Sequence, residues 1–291
     1  MSLLDSEVYQ KIREIVNDKV HGSTQIALNL LKFLSRVLEK VEVERVGRVL
    51  DEVLEVAMER PSMILPINMV SILKEIVKRS IDKGEEIDIK RIVDILTLSY
   101  SQSLDKAVDN AVDALRGFRK IFTLSFSSQV LRTLRKIKDV EVLITVGWPI
   151  LDGLRASREL SSSGVKTYLY LDSSINDAVT SSDAVFIGCD AILVDGTVIN
   201  RSGSRTATLI AKKESIPSYV ICDSLKLDSM KVWKSERWKY SLEDLEVEFH
   251  VFEKVEAEFF SEYISEMGRD DWRNFVDKAL RKVVELHRMS L

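Results

Sequence analysis

The feature that most constrains this chain is a change of hydrophobic periodicity near Gly117. Before it, apolar residues recur every three or four positions, as in "SEVYQKIREIVNDKV", "STQIALNLLKFLSRVLEK" and "ERVGRVLDEVLEVAMER", the spacing of one helical face. The last of these stops at Arg60-Pro61, because proline restrains the residue before it. "INMVSILKEIVKRSIDKG" ends on Gly84, a helix C-cap signal, and the stretch from Asp88 to Phe118 reads as one long helix or two stacked ones. After Gly117 come short β-branched runs: "KIFTLSF" (120–126), "VEVLITV" (140–146), "VKTYLYL" (165–171), "AVFIG" (184–188) and "SYVICD" (218–223). Helical patterns separate them, at intervals of roughly 20–25 residues, which is the signature of a parallel sheet covered by helices on both faces. "VEFHVF" (247–252) reads as a late strand, and the amphipathic C-terminal stretch is expected to pack Trp272, Phe275, Ala279, Leu280 and Val283 on the body. The expected fold class is therefore α/β, with a helical domain over 1–117 and a mainly parallel α/β domain over 118–291.

Composition narrows the function classes. A formal net charge of -4 leaves no excess of cations for displacing phosphate counterions, so a general nucleic-acid binder is not expected. No apolar run is long enough to cross a membrane, and the acids in "MSLLDSEVYQKIREIV" argue against a secretory signal. The two cysteines, Cys189 and Cys222, fit a reducing cytoplasm. Three histidines without a nearby acid or cysteine cluster predict no metal site, and no cofactor is expected.

Ligands of doubly wound sheets sit outside the carboxyl ends of the strands. The segments leaving those ends here are "TLSFSS", "TVGWP", "LDSS" and "GCDAILVDGTVINRSGS". The last is the richest. Gly203-Ser204 precedes a helix whose free N–H groups and dipole suit an anion. Asn200 and Arg201 stand just before it, with Arg201 offering a fixed fork of donors. Asp190 suits acid–base work if burial raises its pKa. The same residues also have plain structural readings, with "VDGT" (194–197) a hairpin turn and Asp190 a capping residue. "VHGSTQIA" (20–27) reads first as a helix N-terminus; Cys189 is a nucleophile or a packing residue, and Trp148 a core or a rim aromatic.

Taken in order, these segments resemble the translation initiation factor 2B alpha, beta and delta subunits, whose superfamily includes ribose-1,5-bisphosphate and 5-methylthioribose-1-phosphate isomerases. "GCDAILVDGTVINRSGS" is in register with that family's G-A-D-x-[IV]-x-x-[DN]-G-x-[VA]-x-N-K-x-G-[TS], with Arg201 in place of lysine. "HGSTQIA", "RPSMILPIN" (60–68), "YVICDSLKL" (219–227) and "SEMG" (265–268) are similar to further family segments. The resemblance implies a Rossmann-like C-terminal domain that dimerises and a pocket for a phosphorylated sugar or nucleotide between the domains. It aligns Asp190 with the isomerases' catalytic aspartate, and Asn200, Arg201, Gly22, Arg60 and Lys226 with substrate-binding positions. Ser23, Ser125, Gly203 and Ser204 join that ligand-binding set.

The departures from the pattern bear on activity. Ser125 stands at the isomerases' cysteine, and a serine hydroxyl without a partner base offers no ready nucleophile. "VGWP" replaces E-S-R-P, so Trp148 stands where an arginine would face the ligand, and His21 replaces a second arginine. The expected function is a non-catalytic, regulatory relative of initiation factor 2B, a homodimer or larger homo-oligomer that binds a phosphorylated small molecule. The family name suggests the initiation factor 2 complex as a partner. The alternative is a ribose-1,5-bisphosphate-type aldose–ketose isomerase using Asp190, with Ser125 at the nucleophile position.

Overall fold

The computed structural model describes residues 4–85 and 87–288. Its first part is helical: α1 (Ser6–Val16), α2 (Ser23–Leu38), α3 (Val43–Met58), α4 (Ile64–Lys83) and α5 (Ile89–Ala114). The apolar stripes read from the sequence are the buried faces. In α2 they are Ile26, Ala27, Leu30, Leu31, Leu34 and Leu38, and in α3 Val46, Val49, Leu50, Val53, Val56 and Ala57. Helix α4 is buried all round from Ile64 to Val70 and runs between its neighbours, packing on α2 and α3. Pro66 is tolerated in it because the first turn has no intrahelical acceptor to lose. Gly84 closes α4 in a left-handed conformation (φ 67°), as its position predicts. The stretch after Asp88 forms one continuous helix, so the reading as two stacked helices is not realised.

From Lys120 the chain alternates: β1 (Lys120–Thr123), α6 (Ser128–Lys136), β2 (Glu141–Thr145), α7 (Asp152–Ser162), β3 (Lys166–Tyr170), α8 (Ile175–Thr180) and β4 (Ala184–Ile187). Next come β5 (Ala191–Leu193), β6 (Val198–Arg201), α9 (Ser204–Lys213), β7 (Ser218–Ile221), β8 (Leu227–Asp228), β9 (Arg237–Leu242) and β10 (Leu245–His250). The chain finishes with β11 (Phe252–Val255), β12 (Glu262–Ser265), β13 (Gly268–Asp270) and α10 (Trp272–Arg288). The main sheet has the order β13-β12-β7-β4-β1-β2-β3, parallel except for the β12–β13 edge. The winding runs from β1 through β2 to β3 on one side, then returns to place β4 against β1 on the other. A crevice opens where the direction reverses, outside the carboxyl ends of β1 and β4.

A second sheet, β11-β6-β5-β8, and the hairpin β9–β10 are additions that the alternating pattern did not announce. The run at 247–252 is not one strand: His250 ends β10, which pairs with β9, while Phe252 begins β11, which pairs with β6. The "VDGT" turn joins β5 to antiparallel β6. Gly196 in that turn has φ 83°, and a Cβ there would meet the Trp272 ring at 2.6 Å, so both backbone and packing demand glycine. Helix α10 buries Phe275, Val276, Ala279 and Val283 and packs across to α4. Trp272 and Leu280 are only partly buried. No helix among the described residues is long and apolar enough to cross a membrane.

Candidate functional site

A cavity of about 310 Å³ lies in the crevice at the carboxyl ends of β1 and β4. Its floor comes from Ser125 to Gln129 after β1 and from Cys189 and Asp190 after β4. Asn200 and Arg201 of β6, and Lys226 after β7, close one side. The turn from Lys19 to Gln25 brings in the helical region, and Asp152 and Arg155 of α7 complete the wall.

Lys226 is the most deeply set cation. It is buried, donates to the Cys189 carbonyl oxygen at 2.8 Å and to Gln129 Oε1 at 3.3 Å, and lies 3.8 Å from Asp223 Oδ2. Burial works against its ammonium, but the acidic groups around it, Cys189 and the Asp223 and Asp190 carboxylates foremost, prevail and raise its pKa. Asp223 is pushed up to about 6, first by burial, against the pull of Lys226. Gln129 is buried, and its Nε2 has no partner among the described residues.

Arg201 forms an ion pair through Nε with Asp152 Oδ2 at 3.1 Å, and its buried Nη1 has no partner among the described residues. Burial raises the pKa of Asp152, with Arg201 opposing. Asn200 is held by its neighbour: its Nδ2 donates to Ser204 Oγ at 2.9 Å, and that hydroxyl donates to the Arg201 carbonyl at 2.6 Å. Asp190 is half-buried, with its N–H donating to Ile199 O at 2.8 Å. Ser125 has φ 61°, a left-handed conformation uncommon for any residue but glycine and one that concentrates at functional sites.

Two helix N-termini meet this wall. Gly22 caps α2 without a side-chain acceptor, and Ser23, Thr24 and Gln25 of its first turn line the cavity. Ser127 caps α6, whose Ser128 and Gln129 also line it. Free first-turn N–H groups and the helix dipole favour an anion at both.

The structure gathers Gly22, Ser23, Ser125, Asp190, Asn200, Arg201 and Lys226 around one cavity. It does not bring in three others. Arg60 is buried elsewhere, donating through Nη1 to Val16 O and Asp18 O and through Nε to Glu236. Ser204 lies beneath Asn200 and Arg201, fully buried. Gly203 borders an adjoining cavity of about 320 Å³ that shares Ser125, Asp152 and Arg201 with the first. The anion cradle expected at Gly203-Ser204 is already filled, because Glu253 of β11 accepts from Arg205 N at 2.8 Å and from the backbone N–H groups of Gly203 and Ser204. An acid one strand away had no signal in the local pattern.

Sequence reasoning also missed cations. Lys19 and Arg155 line the cavity, so with Arg201 and Lys226 four cations face two carboxylates, Asp152 and Asp190, among the described lining residues. Arg155 is steadied by the Phe126 ring, 3.9 Å from its guanidinium carbon, and donates to Val20 O at 3.1 Å. These cations offset the ones missing at His21 and Trp148. Trp148 is a rim aromatic, half exposed and set edge-on to Tyr240 at 5.6 Å. Cys189 and Cys222 are both buried, and burial pushes the Cys222 thiol up, while Cys189 borders the cavity.

The chain matches the model of the Initiation factor 2 subunit family over residues 19–268. It is 24% identical over 229 residues to a translation initiation factor eIF-2B subunit 2-like protein of Pyrococcus horikoshii, covering 77% of this chain and 80% of that one. It is 23% identical over 230 residues to the ribose 1,5-bisphosphate isomerase of Archaeoglobus fulgidus, covering 76% of this chain and 72% of that one. The crystal structure of translation initiation factor eIF-2B from Pyrococcus horikoshii shares the fold with a TM-score of 0.81 at 20% identity, covering 92% of this chain and 98% of that one. The match across the helical region, the switch-point crevice and the strands beyond it makes this chain a member of the Initiation factor 2 subunit family.

Proposed function

We propose that this protein is a regulatory, ligand-binding member of its family that holds a phosphorylated small molecule in the cavity at the β1–β4 crevice. The observation that carries this reading is the wall itself: four cations and the first turns of two helices, of which α2 has no side-chain cap, around one cavity of about 310 Å³. Ser125 at the tip of β1 supports binding over turnover, since no described side chain is hydrogen-bonded to it as a base. Association into a homodimer or larger homo-oligomer, and with the initiation factor 2 complex, belongs to the same reading by family resemblance.

The second reading is a sugar-phosphate isomerase with Asp190 as acid–base. It is favoured by one observation: Asp190 borders the cavity on a backbone fixed to Ile199, beside Asn200 and Lys226. The two readings separate in one experiment. Purified protein is incubated with ribose 1,5-bisphosphate, methylthioribose 1-phosphate or AMP, and both ketose product and thermal stabilisation are measured. The regulatory reading expects stabilisation without product, lost in Arg201→Ala. Product formation abolished by Asp190→Asn overturns it in favour of the isomerase.

A further inference from the structure

Arg201 is gripped on three sides. Asp152 holds its Nε at 3.1 Å, the Phe252 ring centre lies 5.0 Å from its guanidinium carbon, and the Trp238 ring centre lies 5.7 Å away. Trp238, on β9, also stands 5.0 Å from Lys19 Nζ. One indole is thus set against two cations of the cavity wall that come from distant parts of the chain. An aromatic face attracts a cation through its quadrupole without neutralising it, so the indole leaves Lys19 its charge and leaves Arg201, paired with Asp152 through Nε, its other guanidinium donors.

The indole is itself anchored. Its Nε1 donates to Glu236 Oε1 at 2.6 Å, while Glu236 Oε2 accepts from Ser62 Oγ at 2.5 Å and Arg60 Nε at 3.2 Å. Buried Arg60 reaches from there to the carbonyls of Val16 and Asp18, directly before Lys19. The chain of contacts runs from the α1–α2 turn through Arg60 and Glu236 to Trp238, and returns to the same turn at Lys19. Its closure fixes the hairpin β9–β10 against the helical region beside the cavity.

We infer that Trp238 is a positioning residue for the anion site, latched by Glu236 and Arg60, and that it holds Arg201 and Lys19 as a pre-aimed pair of phosphate donors. The clasp uses Nε of Arg201 and leaves buried Nη1 without a partner among the described residues. Long cationic side chains lose rotamer freedom when they grip a ligand; a cation already ordered by an aromatic face loses less on binding. Arg60, aligned by resemblance with ligand-binding positions, acts here through the latch instead. The inference rests on the cavity being a phosphate site.

The test compares wild type with Trp238→Ala, Trp238→Phe, Glu236→Gln and Arg201→Ala. Titration calorimetry uses inorganic phosphate, AMP and ribose 1,5-bisphosphate as probes, and tryptophan fluorescence is followed in parallel. Trp238→Ala is expected to weaken binding of whichever probe binds wild type by about three- to tenfold, the scale of lost cation–π contacts. Trp238→Phe keeps a ring face and should recover most of that loss while abolishing most of the ligand-induced fluorescence change. Glu236→Gln should weaken binding about as much as Trp238→Phe, without unfolding the chain. Unchanged affinity in both Trp238→Ala and Glu236→Gln, with binding lost in Arg201→Ala, overturns the clasp and leaves the phosphate site standing. If no probe binds wild type, the site and the clasp fall together.

Discussion

Lys226 Nζ donates to the carbonyl oxygen of Cys189 at 2.8 Å, tying the turn after β7 to the end of β4 beneath the cavity. Its charge also faces the buried Asp223 carboxylate at 3.8 Å. Lys226→Met removes the countercharge, takes the donor from the Cys189 carbonyl and leaves Asp223 with the Tyr100 hydroxyl, 3.2 Å from its Oδ2. Losing one member of a buried pair costs about 3–5 kcal/mol, and we expect the low end, since Asp223 can take up a proton instead of remaining a bare anion. Urea denaturation at pH 8 should show the loss, and a smaller loss at pH 5. Equal losses at both pH values would contradict this account.

Asp223 makes its own pH prediction. Its carboxyl titrates at about 6 in the folded chain against 3.8 unfolded, so the native state binds the proton more tightly. Its contribution is therefore greatest below about pH 4 and is lost as pH rises to about 6, a change of about 3 kcal/mol for a two-unit shift. Asp223→Asn should flatten the stability profile in that window relative to wild type. Parallel profiles for the two proteins would rule the shift out.

Glu253 covers the N-terminus of α9, accepting from three successive backbone N–H groups. Removing the carboxylate in Glu253→Ala should lower stability by about 1 kcal/mol, the usual scale for a lost N-cap acceptor. The uncovered amides should then bind a small anion. Thermal melts in sulfate and chloride at matched ionic strength check this: sulfate is expected to restore the variant selectively, with little differential effect on wild type.

Gly153 opens α7 where a Cβ would lie 1.8 Å from the Thr145 carbonyl oxygen and 3.1 Å from that of Val146. Neither backbone atom can yield cheaply. Gly153→Ala should therefore cost about 3 kcal/mol, at the upper end for overpacking. It should also shift Asp152 and Arg155, weakening stabilisation by phosphorylated probes. A melting temperature within a degree of wild type would show that α7 moves freely.

The elements that fill themselves locally were legible in the chain. The stripe of Leu30, Leu34 and Leu38 buries the face its helical period marks out, and the β-branched runs around Phe122, Ile144 and Phe186 are buried on both faces, as the continuous apolar runs of a covered parallel sheet are. The switch-point loop was legible too, because Asp190, Asn200 and Arg201 lie close together in sequence. The short strands β8, β12 and β13 were not, since "LD", "EYIS" and "GRD" mix charged or small residues with few apolar ones and form no β-branched run that stands out from a loop. Lys19 and Arg155 gave no signal for the same kind of reason: an exposed cation in a helix or turn has no local mark of what it faces.

By itself, then, the sequence determined the two-part α/β pattern, the position of the crevice and the family loop that borders it. Only the tertiary structure decided which groups meet there. Glu253 reaches the α9 N-terminus from β11, Arg60 turns to Glu236 across 176 residues, and Trp238 comes to rest against Lys19 and Arg201. Periodicity is set by neighbours within a turn or a strand and can be read along the chain. The electrostatic character of a cavity is set by charges converging from remote segments, and that convergence exists only once the segments are packed.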